Sequence, residues 1–100
     1  MAKPYYAEYV NHILRFYFRY NPNKGFKNDV DKMNYLAADK VIQKLTEAEQ
    51  EVLCLIFNME NIHVVDNVSV VARQRHQDPT KIWTLISTTT SKIAKERKLL

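Results

Sequence analysis

The chain has 100 residues, of which 46% are hydrophobic and 26% charged, with one Gly and three Pro. These proportions exclude a disordered or collagen-like chain, and the length predicts one small domain over residues 1–100. Its single cysteine, Cys54, has no intrachain partner, which excludes a disulfide scaffold and favours a reducing, cytoplasmic setting. The formal charge of +4 is unevenly spread: residues 1–28 carry five basic and one acidic side chain, residues 29–66 three and eight, and residues 67–100 seven and two. A basic final third is the footprint of a polyanion binder, although a merely solvated basic face has the same composition.

With so little Gly and no strand-and-turn alternation, the sequence predicts an all-α fold of about five helices. The first opens at Pro4 and runs to about residue 20, with Tyr6, Val10, Ile13 and Tyr17 at helical spacing and Tyr9, Phe16 and Tyr20 widening the stripe. Glu8, Asn11, His12, Arg15 and Arg19 interrupt it well short of a membrane span, and no signal-peptide pattern is read, so no membrane partner is expected. Seven of the 11 aromatics lie in residues 1–20. That stripe is either ordinary core or a homodimer interface. The segment Asn21-Pro22-Asn23-Lys24-Gly25 ends the helix, and a second begins after Asn28 or Asp29 and runs to Lys44, burying Val30, Met33, Ala37, Val41 and Leu45.

Thr46-Glu47-Ala48-Glu49 has the form of a capping box and starts a third helix, whose run of Val52, Leu53, Leu55, Ile56 and Phe57 predicts the most buried element. Cys54 inside it reads as a small core hydrophobe, since no Cys/His pairing stands nearby. Residues 58–65 read as loop or frayed helix, and Asp66 or Asn67 caps a short fourth helix through Val68, Val71 and Ala72 that ends near His76. Asp78-Pro79 starts the fifth, with Asp78 as N-cap and Pro79 in the first turn, where a missing N–H costs nothing. Ile82, Leu85, Ile86, Thr89 and Ile93 form its inward stripe; Thr80, Lys81, Thr84, Ser87, Thr88, Ser91, Lys92 and Lys95 face the other way. Ser87-Thr88-Thr89-Thr90-Ser91 is a run of poor helix formers, and a strand is conceivable there, but nothing else supplies a sheet for it to join, so a helix that bends or frays is expected.

A short helix, a tight turn and a longer helix with a polar, basic outer face is the arrangement that lays a second helix in a DNA major groove. The segment 46–97 also resembles region four of bacterial sigma factors and the small phage regulators built on it, the ArpU- and RinA-type late-gene activators. Leu45-Thr46-Glu47-Ala48-Glu49-Gln50-Glu51-Val52-Leu53 is similar to that family's leucine, helix cap and Glu-Gln opening. Val71-Ala72 matches its Ile-Ala pair, Asp78 stands where a capping Ser usually sits, Ile82 takes the buried Val position four residues later, and Ile93 matches the apolar residue that closes the last helix. The family's Leu-Gly-Val turn is replaced by Arg75-His76-Gln77. The resemblance implies a platform at residues 1–45, a helix-turn-helix at 46–100, and a sequence-specific transcription regulator of phage or prophage type that binds double-stranded DNA in a bacterial cytoplasm.

On that reading the first exposed turns of the last helix touch base edges through Thr80, Lys81 and Thr84; Ser87 or Thr88 donates to a phosphate, and Arg73, Arg75 and Lys92 or Lys95 supply further phosphate contacts. Taken one at a time, each of these reads equally as a solvated surface group. Trp83 is assigned to packing against the first helix rather than to bases. His12, His63 and His76 have no ligand-like spacing with Cys54 or a carboxylate, so no metal or other cofactor is expected. No carboxylate pair, phosphate-cradling Gly loop or nucleophile–base pair is visible, so no enzyme is expected. The competing reading is a helical adaptor that binds RNA polymerase or a host protein without touching DNA.

Overall fold

Helix signals at five places in the chain produce five helices in the computed structural model, which describes residues 4–99: α1 (Ala7–Phe18), α2 (Asp29–Ile42), α3 (Glu47–Phe57), α4 (Val64–Arg75) and α5 (Pro79–Glu96). The fold is all-α, and no strand occurs among the described residues. One core cluster draws on every helix, from Val10, Ile13 and Leu14 of α1 through Ala38 and Ile42, Leu53 and Ile56, and Val68 and Val71 to Ile82, Ile86 and Ile93 of α5. Residues before and after Thr46 therefore share one interior, and α5 packs on each of the other four helices.

The ends of the helices follow local chemistry. Asn28 accepts from the backbone N–H of Asp31 at 2.8 Å and starts α2. The capping box is complete: Thr46 Oγ1 accepts from the N–H of Glu49 at 3.1 Å, and Glu49 Oε1 accepts from the N–H of Thr46 at 3.0 Å. Asp78 accepts from the N–H of Thr80 at 2.9 Å, with Pro79 in the first turn of α5. The Ser/Thr run continues as regular α-helix, so neither a strand nor fraying occurs there. Thr84 and Thr90 donate back to the carbonyls of Thr80 and Ser87, which satisfies their hydroxyls within the helix.

Four expectations are corrected. First, α1 is shorter than residues 4 to 20; no side chain caps its start, and Pro4 to Ala7 closes as a turn instead. Second, α2 is rotated relative to the predicted stripe: Asn34, Ala37, Ala38, Val41 and Ile42 are buried, while Val30 and Met33 face out. The small Ala37 and Ala38 let neighbouring helices approach, and the inward Asn34 is matched by polar partners, since Arg97 Nε donates to its Oδ1 at 2.6 Å and its Nδ2 donates to the Tyr9 hydroxyl at 3.0 Å. Third, α4 begins at Val64, before the predicted caps. Asn67 is buried, its Nδ2 donating to the carbonyls of Ile56 and Asn61, so it ties down the α3–α4 connection instead of capping. Fourth, on α3 only Val52, Leu53, Ile56 and Phe57 are buried; Leu55 is exposed and Cys54 half-buried.

The aromatic residues of α1 are largely used within the chain. Phe16 and Tyr17 pack at the edge of a cluster in which Tyr20 stacks on Phe26 with centroids 4.9 Å apart, and Tyr35 of α2 meets Tyr17, Tyr20 and Phe26. Tyr17 donates to Asp39 Oδ1 at 2.7 Å, and burial together with that carboxylate holds its phenol well above the usual tyrosine range. Among the described residues no helix is long and apolar enough to cross a membrane.

Candidate nucleic-acid interface

The outer face of α5 follows from what the inner face requires. With Ile82, Ile86, Thr89, Thr90, Ile93 and Ala94 buried, the 3.6-residue period turns Thr80, Lys81, Thr84, Ser87, Thr88, Lys92 and Lys95 to solvent on the opposite side, and all seven are exposed. Ser91 lies at the margin, half-buried. The face carries three lysines and no carboxylate. Asp78, just before it, has its carboxylate turned to the N–H of Thr80, and Glu96, at the end of α5, is paired with Lys40 of α2 at 3.2 Å. Among the described residues none of Lys81, Lys92 and Lys95 has an ion-pair partner. Small hydroxyl side chains stand between the lysines.

The turn before α5 is tight. Arg75 ends α4, and His76 takes the left-handed conformation with φ 53° and ψ 45°, the geometry that Gly adopts most easily and that His, with Asn and Asp, adopts more often than most side chains. The N–H of Gln77 reaches back to the carbonyl of Ala72 at 3.0 Å and that of His76 to Arg73 at 3.4 Å, so these two carbonyls near the end of α4 are satisfied without glycine. His76 thus supplies the αL residue that ends α4. A shallow groove of about 370 Å³ lies between this turn and α3, bordered by Glu49, Val52, His76, Asp78 and Lys81. Both of its carboxylates already accept from backbone N–H groups, Glu49 from Thr46 and Asp78 from Thr80.

The two arginines of α4 do not share a face. Arg73 is exposed, whereas Arg75, two residues and about 200° further round the helix, turns to α3, where Nη1 donates to Glu51 Oε1 at 2.8 Å. The structure therefore gathers Thr80, Lys81, Thr84, Ser87, Thr88, Lys92 and Lys95 on one surface and leaves Arg75 engaged elsewhere. Glu51 stands 24 positions from Arg75, and no short-range spacing announces that pair. Trp83 is 37% exposed and lies away from the lysine face, on the wall of a groove of about 830 Å³ shared with Glu8, His12 and Arg15 of α1 and Val65 of α4. Burial and the nearby Glu51 push the Cys54 thiol above its ordinary pKa, which keeps it protonated at neutral pH. Among the described residues no group of three or more His, Cys, Asp or Glu side chains comes together as a metal site.

Compared with known proteins, the chain matches no family model, no curated protein and no solved structure.

Proposed function

We propose that the chain is a sequence-specific regulator that binds double-stranded DNA in a bacterial cytoplasm, with α4, its turn and α5 acting as a helix-turn-helix and α5 lying in the major groove. The observation that carries this reading is the outer face of α5: three lysines without an ion-pair partner among the described residues and a row of hydroxyls over an 18-residue helix, with the helix's one carboxylate committed to Lys40. A surface of that chemistry fits a phosphate-lined groove, since ammonium groups release condensed counterions, Lys donates to guanine acceptors, and Thr methyls meet the thymine methyl. Thr80, Lys81 and Thr84 face the bases; Ser87, Thr88, Lys92, Lys95 and Arg73 contact phosphates. The phage-regulator character belongs to the same proposal and rests on the resemblance of residues 46–97 to sigma region four.

A salt titration of duplex-DNA binding tests it. Lys92→Ala with Lys95→Ala should lower affinity for every sequence alike and flatten the slope of log K against log salt by roughly two units, about 0.9 for each phosphate no longer neutralised. Lys81→Ala should instead narrow the gap between preferred and random duplexes. If these variants bind as the wild type does, α5 is not the DNA-facing helix.

A further inference from the structure

α2 buries one face and leaves an apolar one uncovered: Val30, Met33 and Leu36 are 50%, 52% and 53% exposed. Asp29, Met33, Leu36 and Lys40 follow one another at steps of four, three and four, the spacing that keeps side chains on one line toward a partner helix. All four are exposed. Turned end for end, the line complements itself: Asp29 comes level with Lys40, and Met33 level with Leu36. A parallel copy would bring Asp29 against Asp29 and Lys40 against Lys40, so the charges also fix the direction.

We propose that this line is the seam of a symmetric dimer, in which α2 of two copies lies antiparallel about a two-fold axis at the level between Asn34 and Tyr35. Met33 of each copy packs on Leu36 of the other, with Val30 at the edge, and an Asp29–Lys40 pair closes each end. Lys40 can serve there. Its side chain is 61% exposed, and its ammonium, with three donors, spends one on Glu96. The aromatic stripe of α1, the alternative surface for a second copy, is largely taken up by packing against Phe26 and Tyr35. A seam on one 14-residue helix, about 21 Å long, is small for a protein interface, so the dimer dissociates on dilution. The inference does not depend on the DNA reading; where both hold, two α5 faces related by a two-fold axis would read a palindromic site.

The test is sedimentation equilibrium of the full chain from micromolar to millimolar concentration. The wild type should pass from monomer to dimer mass across that range, and Leu36→Glu, a substitution at an exposed position, should stay monomeric throughout. Asp29→Lys and Lys40→Asp should each stay monomeric alone, because like charges then meet at both ends of the seam, and an equimolar mixture should recover the dimer. A wild type that is monomeric at every concentration, a Leu36→Glu variant that still dimerises, or a mixture that stays monomeric would each overturn the proposal. The mixture also guards against misfolding, since variants that had lost the fold would not restore a dimer on mixing.

Discussion

α2 and α5 are built alike on the inside and differently on the outside. Each buries one stripe in the shared core, and each turns a free face to solvent, yet that of α2 carries Val30, Met33 and Leu36 while that of α5 carries lysines and hydroxyls. Packing within the chain explains the inner faces of both and neither outer face. The chemistry of a free face then indicates what can cover it: water is a good partner for threonine and lysine and a poor one for three neighbouring apolar side chains. Hydroxyls and lysines without carboxylates suit a polyanion; an apolar line ended by opposite charges suits a protein helix.

The largest effect comes from removing what the two faces have in common. Ile93 is fully buried in the last turn of α5, and Ile93→Ala should cost about 2–5 kcal/mol of stability in chemical denaturation. DNA binding and self-association should then fail together, because both helices rest on one core. Asp78→Ala should separate them. Removing the N-cap costs about 1 kcal/mol and frays the turn that carries Thr80 and Lys81, so DNA affinity should fall in a filter-binding assay while the sedimentation behaviour of the α2 seam is unchanged. Glu51→Gln should have the smallest effect on stability, below about 1 kcal/mol, because the Arg75–Glu51 pair is partly exposed. Freeing the Arg75 guanidinium should steepen the salt dependence of DNA binding by up to about one unit. An unchanged slope would show that Arg75 stays clear of the phosphates even when released.

Much of this architecture is legible in the sequence where the signal is local. Asn28, the Thr46–Glu49 box and the Asp78-Pro79 pair set three helix starts because a cap is an interaction over two or three residues; the last two form as expected, and Asn28 is the cap where the sequence offers Asn28 or Asp29. The outer face of α5 is legible for a related reason: its period is regular, and the polar and apolar sets scarcely overlap. The rotation of α2 is hidden. Its apolar residues nearly encircle the helix, and the choice between burying Val30 and Met33 or Asn34 and Ala38 is decided by Arg97 and Tyr9, partners 63 and 25 residues away from Asn34. The pairing of Arg75 is hidden on the same ground, its partner Glu51 being a residue of another helix. His76 is a different case: its left-handed conformation, with the N–H groups of His76 and Gln77 returned to the carbonyls of Arg73 and Ala72, has no glycine to announce it in the sequence.

The most direct test of the central claim, that the lysine and hydroxyl face of α5 reads DNA, is selection from a random duplex pool by the purified chain at several salt concentrations, with sequencing of the retained fraction. The account predicts retention that falls steeply with salt, a recurrent enriched sequence, and disappearance of that enrichment in Lys81→Ala. No retention of any duplex even at low salt would contradict it and leave the face of α5 without the partner its chemistry describes.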